Sequence, residues 1–331
     1  MMSGTRGTGI FLWLAVAIIP LMTARVFSAE TAGKLTPVRI GFASRSIQDM
    51  PFFVAHERGF FREEGLQAEI ILMKAIQTVQ SLLSGSIDFG TATGTAVSAA
   101  VNGADVRVVM ALTDRPAFDL ISQPGIRSVH QLRGKKIGVS AVGSLGEILA
   151  RQILIANQVP LEQVTILPLG QSHFTYTTLK AGVIEAIMAS IPTTFVAQDE
   201  GFYKLAAGGD VYRTVHGGLT TTRTTIVNRP DLVAKTIRAT LRAVHLIRND
   251  RTVGINFIKG PQLDMGSERD RLADRVYEAA AHAYLLSGSV DEDLQREMIS
   301  IAARRIKPAQ PVPPERVFDF SFARKINKTS R

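Results

Sequence analysis

From Val38 onward, short apolar runs alternate with stretches of helical spacing. "VRIGFA" (38–43) reads as a strand and 51–64 as a helix, with Gly59 inside it or closing its first part. "AEIILM" (68–73) is a second strand, and "TVQSLLSG" (78–85) a helix closed by glycine. "IDFG" (87–90) is a third strand, "TAVSAAVNG" (95–103) a helix of small residues, and "VRVVMAL" (106–112) a fourth strand. Strands separated by helices in this way predict a parallel sheet with helical crossovers.

After "TDRPAFD" (113–119) the pattern restarts. "KKIGVS" (135–140) reads as a strand, and Leu145, Ile148, Leu149 and Ile153 share one face of a helix over 144–157. "VTILPL" (164–169), "EAIMAS" (185–190) and "YKLAA" (203–207) are further strands, which make a second α/β unit. "TTIV" (224–227) reads as one more strand, and helices follow it. In 231–248, Val233, Ile237, Leu241 and Val244 line one face; 270–286 and 291–305 each open on acidic residues that suit a helix N-terminus. "KPAQPVPPER" (307–316) predicts an extended strap.

The first thirty residues differ. Arg6 precedes the apolar run "IFLWLAVAIIPLM" (10–22), and small residues follow near Ser28 and Ala29. That is the pattern of an export signal over residues 1–29. Thirteen apolar residues span roughly 20 Å, short of a bilayer core, which favours a cleaved signal over the alternative of an uncleaved anchor. The chain has no cysteine, so disulfides, thiolate metal sites, a cysteine nucleophile and a lipid-bearing cysteine are excluded. A soluble periplasmic protein is expected. The net charge is +9, and cleavage near Ala29 would remove Arg6 and Arg25, leaving 9 − 2 = +7. The basic residues are scattered, without an aromatic-laced stripe, so no nucleic-acid partner is expected.

No two of the six histidines stand three to five residues apart, and there is no nucleophile elbow. Neither a metal nor a cofactor is expected. Two turns carry hydroxyls where a strand feeds a helix: "GTATG" (90–94) with Thr91, Thr93 and Thr95, and "GSLG" (143–146) with Ser140 and Ser144. Such helix starts offer unpaired N–H groups to an anion; the same hydroxyls also serve as ordinary caps. Arg45 lies at the same kind of strand end, and Arg115 and Arg223 fall in the two crossovers. Ser172 and His173 open a helix after "ILPLG". Phe52, Phe53, Phe60 and Phe61 have the spacing of core residues.

"MPFFVAHERGFFREEGL" (50–66) resembles the first-helix phrase of periplasmic solute-binding proteins of ABC importers of the nitrate/sulfonate/taurine and thiamine-pyrimidine-precursor type. The likeness continues through 82–109, 132–154 and 179–192. It implies an α/β, type II periplasmic binding fold of two lobes, each a mostly parallel sheet flanked by helices, with a helix-rich C-terminal part. Lobe one would be 37–113 plus 220–331 and lobe two 118–215, with crossovers near 113–118 and 215–224. The resemblance also implies a monomer that binds a small solute without chemistry and delivers it to an inner-membrane permease. Carried onto this chain, the ligand contacts would be Ser44, Arg45, Gln48, Thr93, Thr95, Ser144, Ser172 and Ser190. Trp13, the only tryptophan, lies in the signal, so Phe42, Phe118 or Phe174 would have to serve an aromatic ligand. An enzyme on the same fold, or a solute-sensing subunit, are the competing readings.

Overall fold

The computed structural model describes residues 1–2, 34–170, 172–263 and 266–329. Its contacts divide the chain into Met1–Lys34 and Leu35–Arg331. The expected signal over 1–29 lies outside the described residues apart from Met1 and Met2.

Within Leu35–Arg331 the strands are β1 (Thr36–Phe42), β2 (Leu66–Leu72), β3 (Phe89–Gly90), β4 (Val106–Ala111), β5 (Phe118–Ser122), β6 (Lys136–Val139), β7 (Thr165–Pro168), β8 (Ala186–Ser190), β9 (Tyr203–Ala207) and β10 (Gly218–Thr222). They form two five-stranded sheets, ordered β2-β1-β3-β10-β4 and β7-β6-β8-β5-β9. Each sheet is mixed. β10 runs antiparallel to β3 and β4, and β5 runs antiparallel to β8 and β9, while the pairs around β1 and β6 are parallel.

The two antiparallel strands are the ones that hydrophobic patterning misses. β10 reads Gly-Leu-Thr-Thr-Thr and is nevertheless fully buried at Thr220 and Thr221. Their hydroxyls donate to the carbonyls of Gly90 at 2.9 Å and Asp88 at 2.7 Å, which removes the cost of burying them. The strand expected at 224–227 is instead a helix, Arg223–Asn228. Thr222 caps it by accepting the Thr225 N–H at 3.1 Å, so a β-branched run is turned into helix by its cap.

Helices cover both faces of each sheet. Beneath the first sheet, Met50–Glu57, Pro230–Asn249 and Arg269–Ala281 enclose a core that holds Phe42, Phe52, Phe53 and Phe61. Phe42 packs between Phe52 at 5.5 Å and Phe53 at 4.9 Å, so it is core and cannot serve an aromatic ligand. Gly59, at φ 76, separates the first helix from the turn Phe60–Glu63. Glu63 and Glu64 then pair with Arg242 and Arg238 of the long helix, each at 2.5 Å. Val233, Ile237, Leu241 and Val244 all point into this core. On the opposite face lie Ala75–Leu83, Thr93–Val101 and Glu292–Ile306. The proline-rich segment, expected as an extended strap, leaves the preceding helix through a left-handed Lys307, bends at 309–310 and makes one helical turn at Pro314–Val317.

The chain passes between the sheets twice, over 112–117 and 212–217. These passages lie side by side, joined by Leu112 N–H to Gly217 O, Thr214 N–H to Asp114 O and His216 N–H to Thr113 O, each at 3.0 Å.

Candidate functional site

Every expected contact residue except Gln48 stands where a strand's carboxyl end feeds the next helix, and Gln48 lies in the short helical turn that follows β1. In open α/β sheets that edge is where ligands sit. Beyond β1, the backbone leaves the sheet at Ala43 with Ser44 and Arg45 exposed and Gln48 and Asp49 buried. Asp49 accepts the hydroxyls of Ser46 at 3.2 Å and Ser44 at 3.4 Å, which draws the 44–46 loop down onto the helix that follows. Burial pushes this carboxyl up to about 7, against the pull of both serines. Tyr284, whose hydroxyl donates to the Ile47 carbonyl, braces the loop from below.

Beyond β2, Lys74 opens the Ala75–Leu83 helix, and its backbone N–H donates to Gln77 Oε1 at 3.1 Å. Ser44, Arg45, Lys74 and Gln77 form the polar wall of an open cleft of about 600 Å³. Leu72, Met73, Pro261 and Leu263 supply its apolar surface. Lys74 and Gln77 were not among the expected contacts. In the sequence Lys74 is an isolated charge between a strand and a helix, with nothing to mark it.

The two hydroxyl-bearing helix starts differ. Ser144 accepts the Glu147 N–H at 3.3 Å, and Glu147 in turn accepts the Gly143 N–H at 2.5 Å. That bond, with Arg151 beside it, holds the Glu147 carboxyl below its usual range. The Leu145–Ala156 helix thus carries its own anion at its N-terminus. The Ser-x-x-Glu spacing of a reciprocal cap was the available signal. The Thr93–Val101 helix has no side-chain cap. Thr93 is buried and donates to the Val215 carbonyl at 3.1 Å, while Gly94 is exposed and Thr95 half-buried.

On the second sheet, Ser172 and Ser190 meet. Their Oγ atoms are 3.1 Å apart, and Ser172 Oγ accepts the Ser190 N–H at 3.2 Å. Gln48 lies elsewhere, in a seam with Thr113, Ile191 and Tyr284 around a void of about 10 Å³, room for one water at most. Gly217 fits against Gln48 here, at φ 74; a Cβ would stand 2.9 Å from the Gln48 carbonyl oxygen. Thr95 and Ser144 line neither cavity. Arg115 donates to the Gly209 carbonyl at 2.8 Å, and Arg223 is exposed at the start of its helix. His216, in the second crossover, packs 5.9 Å from Phe118 and is kept neutral by burial, which lowers its pKa to about 4.

The elements of the two sheets also touch through charge. Asp199 accepts from Arg271 and Arg275 of the Arg269–Ala281 helix. Arg275 further donates to Gln198 at 3.1 Å and lies 4.5 Å over the Phe195 ring. Among the described residues no cluster of three or more metal-binding side chains is present, and no helix is long and apolar enough to cross a membrane.

Similarities to known proteins fit this architecture. The riboflavin-binding protein RibY of Chloroflexus aurantiacus is 27% identical over 245 residues, covering 70% of this chain and 69% of that one. The alkanesulfonate-binding protein SsuA of Xanthomonas axonopodis pv. citri, bound to MOPS, superposes with TM-score 0.64 at 18% identity, over 86% of this chain and 97% of that one. The periplasmic nitrate-binding protein NrtA of Synechocystis does so at 0.68 and 12%, over 89% of each. The desulfurization enzyme DszB shares the fold at 0.65 and 15%, over 89% of this chain and all of that one. The NMT1/THI5-like family pattern matches residues 46–251. The chain has the two-lobe periplasmic binding protein fold and belongs to the NMT1/THI5-like family.

Proposed function

We propose that this chain is the periplasmic solute-binding component of an ABC importer, exported by its 1–29 signal, and that its guest is a small organic anion. The guest is held between lobe one (37–113 plus 220–331) and lobe two (118–215), and a monomer hands it to an inner-membrane permease. Arg45 carries this reading. It is exposed in the cleft beside Ser44, and among the described residues no acidic side chain lines that cleft. The start of the Thr93–Val101 helix, which has no side-chain cap, adds the backbone N–H groups of Gly94 and Thr95 and the positive end of a helix dipole. Ser172 and Ser190 supply hydroxyls from the second sheet. Asp49 accepts the Ser44 hydroxyl, but it accepts Ser46 as well and serves to hold the loop, so on this reading the guest leaves as it came.

Calorimetric titration of the chain from residue 30 onward with organic sulfonates, carboxylates and pyrimidines tests the proposal. Saturable heat with one or more anions is expected. Binding of neutral or cationic compounds alone, or of nothing in the panel, overturns it. DszB is an enzyme on a similar fold, so the mixture is then analysed by mass spectrometry. A guest recovered intact supports a receptor, and a converted one supports an enzyme.

A further inference from the structure

The cleft beyond β1 and β2 has an uneven wall. Its polar side holds Arg45 and Lys74, two cations from different strand ends, with Ser44 and Gln77. Neither cation has an acidic partner among the described residues, whereas Arg39, Arg238 and Arg242 around the same sheet all do. Its other side is apolar, with Leu72 58% exposed and Leu263 buried. Two unpaired cations beside exposed aliphatic surface form an incomplete site, and a ligand with one charged end and one apolar end completes it.

We propose that Lys74 and Arg45 together grip the anionic head of the guest, and that the Leu72, Met73, Pro261 and Leu263 surface takes an apolar tail, so that the cleft selects bipolar organic anions over inorganic oxyanions. This rests on the solute-binding reading and names the substrate class and a specificity-determining residue, Lys74. A sulfate or nitrate ion occupies a small part of about 600 Å³ and leaves the aliphatic wall wet. Each methylene buried there gains roughly three- to fourfold in affinity, until the wall is covered. The two cations attract over about one Debye length, so the head-group contribution falls with salt and the tail contribution does not. Gln77 Oε1 is engaged by the Lys74 N–H, so Gln77 fixes the helix start from which Lys74 projects.

The probes are propanesulfonate, hexanesulfonate, sulfate, nitrate and neutral hexanamide, titrated into wild type, Lys74→Gln, Lys74→Arg and Gln77→Glu. Lys74 and Gln77 are exposed, so the variants fold. Gln77→Glu keeps an acceptor for the Lys74 N–H while adding a negative charge to the cleft. Hexanesulfonate is expected to bind at least tenfold tighter than propanesulfonate, with sulfate and nitrate weaker still. Lys74→Gln and Gln77→Glu should each lose about tenfold for hexanesulfonate, Lys74→Arg should recover most of it, and hexanamide should be indifferent to all three. Equal hexanesulfonate affinity in wild type, Lys74→Gln and Gln77→Glu overturns the role of Lys74 while leaving the receptor reading intact. Inorganic ions binding as tightly as hexanesulfonate overturn the bipolar guest. Failure of wild type to bind any organic anion, in this set or the broader panel, overturns the receptor reading itself.

Discussion

Thr93 donates its hydroxyl to the carbonyl of Val215, 3.1 Å away and 122 positions later in the chain. The bond ties an uncapped helix start on the first sheet to the second crossover, at a point where both residues are buried. Removing the hydroxyl while keeping the shape leaves the Val215 carbonyl unpaired. Thr93→Val should therefore lower unfolding stability by about 1–3 kcal/mol, read from the urea midpoint. A change within error would mean that water replaces the bond.

Thr95 and Ser144, equivalent hydroxyls to the eye that reads only the sequence, should respond differently to alanine. Ser144 caps its helix, so Ser144→Ala should cost about 1 kcal/mol of stability and leave guest affinity nearly unchanged. Thr95 caps nothing and lines neither cavity, so it meets the guest only through the proposed closure of the lobes; on that account Thr95→Ala should leave the urea midpoint in place while weakening the guest by about 0.5–1.5 kcal/mol, as for one hydrogen bond. Parallel unfolding and titration data on both variants decide it; the reverse pattern rejects the assignment.

The buried carboxyl of Asp49 predicts a pH signature. Its pKa rises from 3.8 to about 7 on folding. Between those values the unfolded chain has released a proton that the folded chain retains. Stability from this group is thus full below pH 4, falls by up to about 1.4 kcal/mol per unit as pH rises through the window, and is flat above 7. Asp49→Asn stays neutral throughout. Its stability relative to wild type should climb between pH 4 and pH 7 and then level off. A difference that is the same at every pH would place the carboxyl in contact with solvent.

Asp199 with Arg271 and Arg275 bridges elements of the two sheets, and these charges are partly exposed. Hinge closure onto a guest would be helped by such a bridge. Asp199→Asn should weaken binding by roughly two- to fivefold, the worth of an exposed ion pair, at low salt only. Titration at 1 M sodium chloride should erase the gap between variant and wild type, since the Debye length there is about 3 Å. A gap that survives high salt would assign Asp199 some role other than charge pairing.

Much of the architecture is legible because burial writes itself into spacing. The one-face pattern of Val233, Ile237, Leu241 and Val244 is the face that meets the sheet. The strands one in from an edge of each sheet are harder. β5 and β10 run antiparallel within mostly parallel sheets, and β10 buries threonines whose hydroxyls are satisfied by backbone carbonyls, so hydropathy carries no trace of it. At the cleft, Arg45 and Ser44 follow from their place after β1. Lys74 does not, because its meaning comes from the proximity of β1 and β2, which pair Phe42 with Leu72. Ser144 was legible in a different sense: Glu147, three residues on, marks it as a cap.

The central claim is that a small organic anion rests unchanged against Arg45 at the carboxyl edge of the first sheet. A crystal structure with the tightest-binding sulfonate or carboxylate tests it most directly. The account predicts the anionic head within hydrogen-bond distance of Arg45 and Lys74, its tail along Leu72 and Met73, and every bond of the guest intact. A guest lodged away from this cleft, or density for a cleaved or modified product, would contradict it.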